Sequence, residues 1–94
     1  MYKIYCEDVY REMIESVLQS RVEGYTIIEA QGCYQRAVEN LLIIELRDVN
    51  EALVESIATE LANVCDQQCV AYTHVPCAIK YATQTTQSTK KARL

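Results

Sequence analysis

Few side chains of this chain could do chemistry, and the reactive ones form no recognised catalytic motif. The single histidine, His74, follows Cys65 and Cys69 in a Cys-x3-Cys-x4-His arrangement. Zinc sites usually have paired ligands at short spacing, so this arrangement would need a fourth ligand from far away. We therefore expect inert thiols, no metal, no cofactor and no enzymatic activity. The alternative is a small enzyme with His74 as its base, which predicts that turnover is lost on His74→Ala.

A polar stretch over residues 31–40 is the best candidate for ligand binding, because it places an aromatic ring, amides and a guanidinium in one connection. Arg36 could pair with a phosphate or a carboxylate, and Tyr34 could stack on a base. In the alternative interpretation, Arg36 pairs with Glu39 across the hairpin, which contributes little stability when the pair is exposed. The two glycines of the chain form no phosphate-binding loop, so an anion would have to be bound by side chains.

The elements that position these residues follow from the hydrophobic periodicity. The apolar residues have the pattern of a strand over residues 1–6, 25–31, 41–46 and 69–75, and the spacing of a helix over residues 10–22 and 51–65. In chain order these segments are strand, helix, strand, strand, helix and strand. This order predicts an α+β fold, a ferredoxin-like βαββαβ sandwich with a four-stranded antiparallel sheet and two helices on one face. Residues 1–82 would form this domain, and residues 83–94 a flexible polar tail with a basic end.

Local signals predict where these elements begin and end. Asp8 is expected to cap the first helix and Gly24 to end it. Asp48 and Glu51 have the spacing of a capping box at the start of the second helix. Gly32 interrupts the second strand and suggests a bulge.

The third predicted strand, residues 41–46, is apolar on both faces until Glu45. A monomer with helices on one face of its sheet would not need this second apolar face, so the pattern predicts oligomerisation through the open face. Tyrosines fall in most strands and suit such an interface, since a ring can cover apolar neighbours while its hydroxyl reaches water.

Composition limits the possible partners and compartments. The chain has 94 residues and a net charge of −4, and three of its basic residues lie in the last five positions. An acidic body argues against nucleic acid as the main partner. The five cysteines are read as reduced and mostly buried, which is typical of a cytoplasmic protein, and no targeting or membrane segment is evident.

The segments 24–28, 30–34 and 39–45 resemble small PII-like and CutA-like proteins of the ferredoxin-like superfamily, some of them from bacteria and their phages. The resemblance implies a homotrimer packed through its sheets, with small ligands, often nucleotides, in clefts between subunits beside the loop after the second strand. The short connection over residues 33–40 is more like the compact CutA branch. Transferred to this chain, the cleft would include Tyr34, Gln35, Arg36, Arg47 and, as a weaker candidate, Lys80.

These observations give two functional hypotheses. The leading one is a non-enzymatic module that binds a small anionic ligand, nucleotide or other metabolite, at the subunit clefts of a homo-oligomer, acting as a sensor or as a phage-type sponge. The alternative is an acidic interaction or inhibitor protein, whose helix face with Glu51, Glu55 and Glu60 docks on a basic partner.

Overall fold

The six elements occur in the predicted order. The computed structural model describes residues 1–76 and 79–84, and it contains β1 (Tyr2–Glu7), α1 (Arg11–Arg21), β2 (Thr26–Tyr34), β3 (Ala37–Leu46), α2 (Glu51–Val64) and β4 (Ala71–His74). The strands form one antiparallel sheet in the order β2-β3-β1-β4, so β3 and β1 are the central strands and β2 and β4 are the edges. The fold is therefore α+β, a four-stranded antiparallel sheet with two helices. Most of the predicted tail, residues 85–94, lies outside the described residues.

One face of the sheet packs against the helices. Alternate residues of the two central strands point to this face and are completely buried. The helices contribute the residues that recur at helical spacing, and the core cluster consists of Ile4, Cys6, Ile14, Val17, Leu18, Leu42, Ile44, Leu46, Val54, Ile57, Leu61 and Cys65. The predicted apolar stripe of α1 is too wide, because Tyr10 and Met13 are about half exposed.

The opposite face of the sheet carries an apolar row and has no covering element among the described residues. Its register places Ile28, Ile43, Tyr5 and Ala71 in one row across all four strands. Ile28 is 42% exposed, and the other three are partly or fully accessible. The next row contains a Lys3–Glu45 ion pair, with Nζ and Oε2 3.7 Å apart. We call this surface the open face.

The polar stretch after Gln31 is mostly strand, which corrects the prediction of a connection over residues 33–40. Only Gln35 and Arg36 form the turn, with φ of 50° and 67°. Pairing between β1 and β3 stops at Leu41, so residues 31–40 extend beyond the body as a two-stranded segment that we call the hairpin arm. Tyr34 and Val38 on this arm are 66% and 69% exposed.

Gly32 does not form the predicted bulge. It pairs with Glu39 in an uninterrupted register of β2 with β3. A Cβ atom at this position would lie 2.6 Å from Cδ1 of Leu41, so the glycine gives room to the leucine side chain.

The predicted helix over residues 10–22 is confirmed to within one residue at each end, but both of its predicted caps are wrong. Tyr10 precedes the helix and makes no side-chain cap. Asp8 lies two residues before this position, and its carboxylate instead accepts a hydrogen bond from Nη2 of Arg11 at 3.1 Å. At the other end, Val22 follows the helix in an extended conformation, and Gly24 does not adopt a positive φ. The chain leaves α1 without the left-handed residue that a glycine cap would supply.

The predicted capping box of α2 is also wrong, since the cap lies two residues later. Asn50 accepts a hydrogen bond from the backbone N–H of Leu53 at 2.8 Å. Asp48 has a φ of 55° and lies in the connection before the helix. The apolar stripe predicted for α2 is confirmed by its buried residues Val54, Ile57, Ala58 and Leu61.

The cysteines divide into two groups. Cys6 and Cys65 are free and buried, with their Sγ atoms 4.0 Å apart, whereas Cys33 and Cys69 are free and exposed. The prediction of buried thiols is therefore wrong for the second pair, and Cys77 lies outside the described residues. Burial raises the pKa of Cys6 to about 12 and also raises the pKa of Cys65. Within the described ranges, no helix is long and apolar enough to cross a membrane.

Candidate functional site

A cleft of about 370 Å³ opens where β3 ends. It is lined by residues 21–24 between α1 and β2, by residues 47–49 between β3 and α2, and by Leu53 and Tyr81. We call it the Arg47 cleft. The connection after α1, the connection after β3 and the first turn of α2 meet here, so several polar side chains lie close to the buried end of β3. The partial positive charge of the helix N-terminus favours an anion in this neighbourhood.

Arg47 is the unusual residue of this cleft. Its Nε and Nη1 atoms are buried and have no hydrogen-bond partner among the described residues. A buried donor without an acceptor costs roughly 1–3 kcal/mol, and more when the group is charged. Buried polar groups of native proteins almost always have a partner, and a bound ion or ligand can supply one.

Arg21 lines the same cleft and has partners for its guanidinium. Nη1 donates to Oε1 of Glu60 at 2.7 Å, and Nη2 donates to Oγ of Ser56 at 2.7 Å. These bonds join the end of α1 to the exposed side of α2. The charge of Arg21 is therefore compensated within the chain, whereas Arg47 forms no ion pair with the residues that the structure describes.

Two carboxylates also line the cleft, and neither forms an ion pair with Arg47. Glu23 is exposed after α1, and Asp48 is exposed immediately after Arg47. The ion pairs of the described residues are formed by Lys3, Arg11 and Arg21. The cleft can thus offer an oxyanion one guanidinium that has no ion-pair partner among the described residues, with two exposed carboxylates at its rim.

The predicted ligand-binding residues lie at two distant places in one chain. Tyr34, Gln35 and Arg36 form the tip of the hairpin arm, whereas Arg47 lies in the cleft. The ten residues of β3 separate the two places, and such a strand spans about 30 Å. Lys80 is exposed and precedes Tyr81 of the cleft lining. Within a single chain, Arg47 and the segment that contains Lys80 therefore lie close together, whereas the tip of the hairpin arm lies far from both.

The alternative interpretation of Arg36 is not observed either. Arg36 is exposed in the turn, and the ion pairs among the described residues do not include a pair with Glu39.

His74 lies on β4, outside the lining of the Arg47 cleft. It is exposed, and its ring packs on Tyr2 with centroids 4.7 Å apart and planes tilted by 40°. Its register with Tyr2 places it on the same side of the sheet as the helices. In the part of the chain that the structure describes, no three His, Cys, Asp or Glu side chains are close enough to hold a metal ion.

The acidic face of α2 is only partly free. Glu51 and Glu55 are exposed, whereas Glu60 is held by Arg21. Burial and the nearby charges of Glu55 and Glu51 raise the pKa of Tyr72, which packs beside this helix.

Sequence reasoning named Arg47 only through the resemblance and missed the cleft itself. The available signal is the position of Arg47 directly after β3, a strand whose alternate residues near its end are buried. A cation that is buried at such a position needs an acceptor from another part of the structure or from a ligand. Comparisons with protein-family models, with curated proteins and with solved structures find no match to this chain.

Proposed function

We propose that this protein is a non-enzymatic module that binds a small anionic ligand, a nucleotide or another phosphate- or carboxylate-bearing metabolite, and that it works as a homo-oligomer. The observation that carries the proposal is the buried guanidinium of Arg47, which lacks an acceptor within the described chain. The strand order and the two helices support a ferredoxin-like βαββαβ sandwich as its fold.

The chemistry of the cleft favours an oxyanion. A guanidinium binds phosphate and carboxylate oxygens through several charge-assisted hydrogen bonds. The volume of about 370 Å³ lies in the range of small-molecule sites. Because Nε and Nη1 are buried, part of the lining must shift when a ligand enters. Tyr81 lines the cleft from a segment without helix or strand.

The open face supports self-association. Its central row of Ile28, Ile43, Tyr5 and Ala71 is apolar and accessible, as expected of a surface that another copy covers. An oligomer would serve equally for sensing or for sequestering the ligand, as in the phage-type sponge. The buried free thiols of Cys6 and Cys65 agree with a reducing, cytoplasmic environment.

Calorimetric titration with inorganic phosphate and with adenosine monophosphate tests this function. Arg47→Met should weaken binding of at least one of these probes by more than tenfold, because it removes the uncompensated donor. Arg11→Met is the matched control, since Arg11 pairs with Asp8 and Glu29 away from the cleft. Equal affinity of the Arg47→Met and wild-type proteins would refute the proposed site.

The acidic interaction protein remains the second candidate, and the exposure of Glu51 and Glu55 favours it. It predicts binding to a basic polymer such as polylysine that weakens steeply with salt. The double variant Glu51→Gln, Glu55→Gln should then lose this binding, whereas Arg47→Met should retain it.

A further inference from the structure

The two edges of the sheet differ in how well they are protected. β4 is four residues long and is followed within two residues by Pro76. β2 is nine residues long, pairs with β3 without a bulge, and contains neither proline nor lysine. No strand of the described residues lies on its outer side. Long, regular edges of this kind are templates for pairing with another strand, and proteins usually block them.

The sequence of β2 suits pairing with itself. Two copies related by a two-fold axis would place β2 antiparallel to β2, and full overlap of residues 26–34 centres the axis on Ala30. In this register Ile28 faces Gly32 of the other copy, and Glu29 faces Gln31. Centring the axis on Glu29 would instead oppose two carboxylates, which is unfavourable.

The same register would bring the tip of the hairpin arm of one copy close to the Arg47 cleft of the other. Continued past the strand ends, it brings the turn with Arg36 of one copy beside Glu23 and Gly24 of the other. Both of these residues line the Arg47 cleft. The charges are complementary there, because the exposed Arg36 meets the exposed carboxylate of Glu23 at the rim.

We propose that a second copy of this chain pairs with the outer edge of β2, and that the tip of each hairpin arm completes the Arg47 cleft of the other copy. This inference rests on the anion-binding function proposed above. It assigns the ligand to a position between Arg47 of one copy and Arg36 of the other, with Tyr34 close to the entrance. It also predicts two equivalent sites for each pair of copies joined through β2, in place of the three-fold arrangement that the family resemblance implies, and it leaves the open face free for a further contact.

Cross-linking tests the β2 pairing. In a background with serine at Cys33, Cys69 and Cys77, an Ala30→Cys variant should form a covalent dimer with a short bismaleimide, because the two thiols lie opposite each other. Thr73→Cys on β4 is the matched control and should stay uncross-linked. In sedimentation experiments Ala30→Lys should shift the protein to monomer, whereas Thr73→Lys should not. Equal cross-linking of both cysteine variants, or a trimer unaffected by Ala30→Lys, would overturn the pairing.

A mixing experiment tests the shared site. Arg36→Ala and Arg47→Met subunits should each bind inorganic phosphate weakly in equilibrium dialysis. After mixing and exchange, half of the dimers contain one subunit of each kind, and each of these has one complete cleft. About a quarter of the wild-type number of sites should therefore return.

The outcomes separate the two proposals. If Arg47→Met alone abolishes phosphate binding and mixing restores none of it, the shared site is wrong and the anion site within one chain stands. If Arg47→Met binds phosphate as well as the wild type does, both proposals fail.

Discussion

The helix-covered face of the sheet and the Arg47 cleft are adjacent, but they differ in what they bury. On the covered face the buried side chains are apolar throughout the described chain, and several are completely inaccessible. In the cleft, two nitrogens of the Arg47 guanidinium are buried without an acceptor among residues 1–76 and 79–84. The first region is consistent with selection for stability. The second retains an unfavourable group, which proteins typically do where a partner or ligand supplies the missing interaction.

The largest effect is expected in the covered region, where two neighbours on β3 provide a matched pair. Ile44 is completely buried against the helices, and Ile43 lies on the open face. Ile44→Ala should lower the free energy of unfolding by about 2–5 kcal/mol, because it leaves a cavity. Ile43→Ala should lower it by about 1 kcal/mol or less, because its side chain is only partly buried. Urea denaturation checks both values, and equal losses would show that the open face is as tightly packed as the core.

The cleft should respond in the opposite direction. Arg47→Met should raise the free energy of unfolding of the ligand-free protein by about 1–3 kcal/mol, because it removes a buried donor that lacks an acceptor. Arg21→Met should lower it by roughly 1 kcal/mol, because the bonds to Glu60 and Ser56 are lost. Thermal denaturation without ligand measures both. A destabilising Arg47→Met would contradict the conclusion that these buried nitrogens lack an acceptor among the described residues.

The sequence predicted the covered region well because its signals are local and periodic. Burial at alternate positions of β3 and at helical spacing in α2 follows directly from residue type, as Leu42, Ile44, Val54 and Ile57 illustrate. The caps are less predictable, since Asp48 and Asn50 are equally good capping residues by type. Which residue caps depends on where the backbone turns, and that is set by tertiary packing.

The candidate site was only partly predictable for a different reason. The Arg47 cleft is formed by connections 20 or more residues apart in sequence, such as residues 21–24 and 47–49. No pattern in either connection reports that they meet. The polar composition of the hairpin arm predicts a loop, whereas β2 and β3 in fact pair continuously up to the turn, so the arm consists of two strands.

The covered region contains the buried thiols of Cys6 and Cys65, and their burial should make the stability of the protein depend on pH in the alkaline range. Burial raises the pKa of Cys6 from 9.0 to about 12. Between these values the unfolded chain loses the thiol proton while the folded chain keeps it, so the unfolded state is favoured as pH rises. The free energy of unfolding should fall by at most about 1.4 kcal/mol per pH unit from this group. Denaturation of wild-type and Cys6→Ala proteins over this range isolates it, and parallel pH profiles would contradict the assignment.

The smallest effect is expected at the start of α2, where Asn50 caps the helix in place of the predicted Asp48. Asn50→Ala should lower the free energy of unfolding by about 1 kcal/mol, because the N–H of Leu53 loses its acceptor. Asn50→Asp should restore it, since a carboxylate caps equally well and suits the helix N-terminus. Asp48→Gly should be neutral or stabilising, because glycine adopts the φ of 55° without strain. If Asp48 were the cap, Asp48→Gly would lower the free energy of unfolding and Asn50→Ala would leave it unchanged. Denaturation of these three variants therefore decides which residue caps α2.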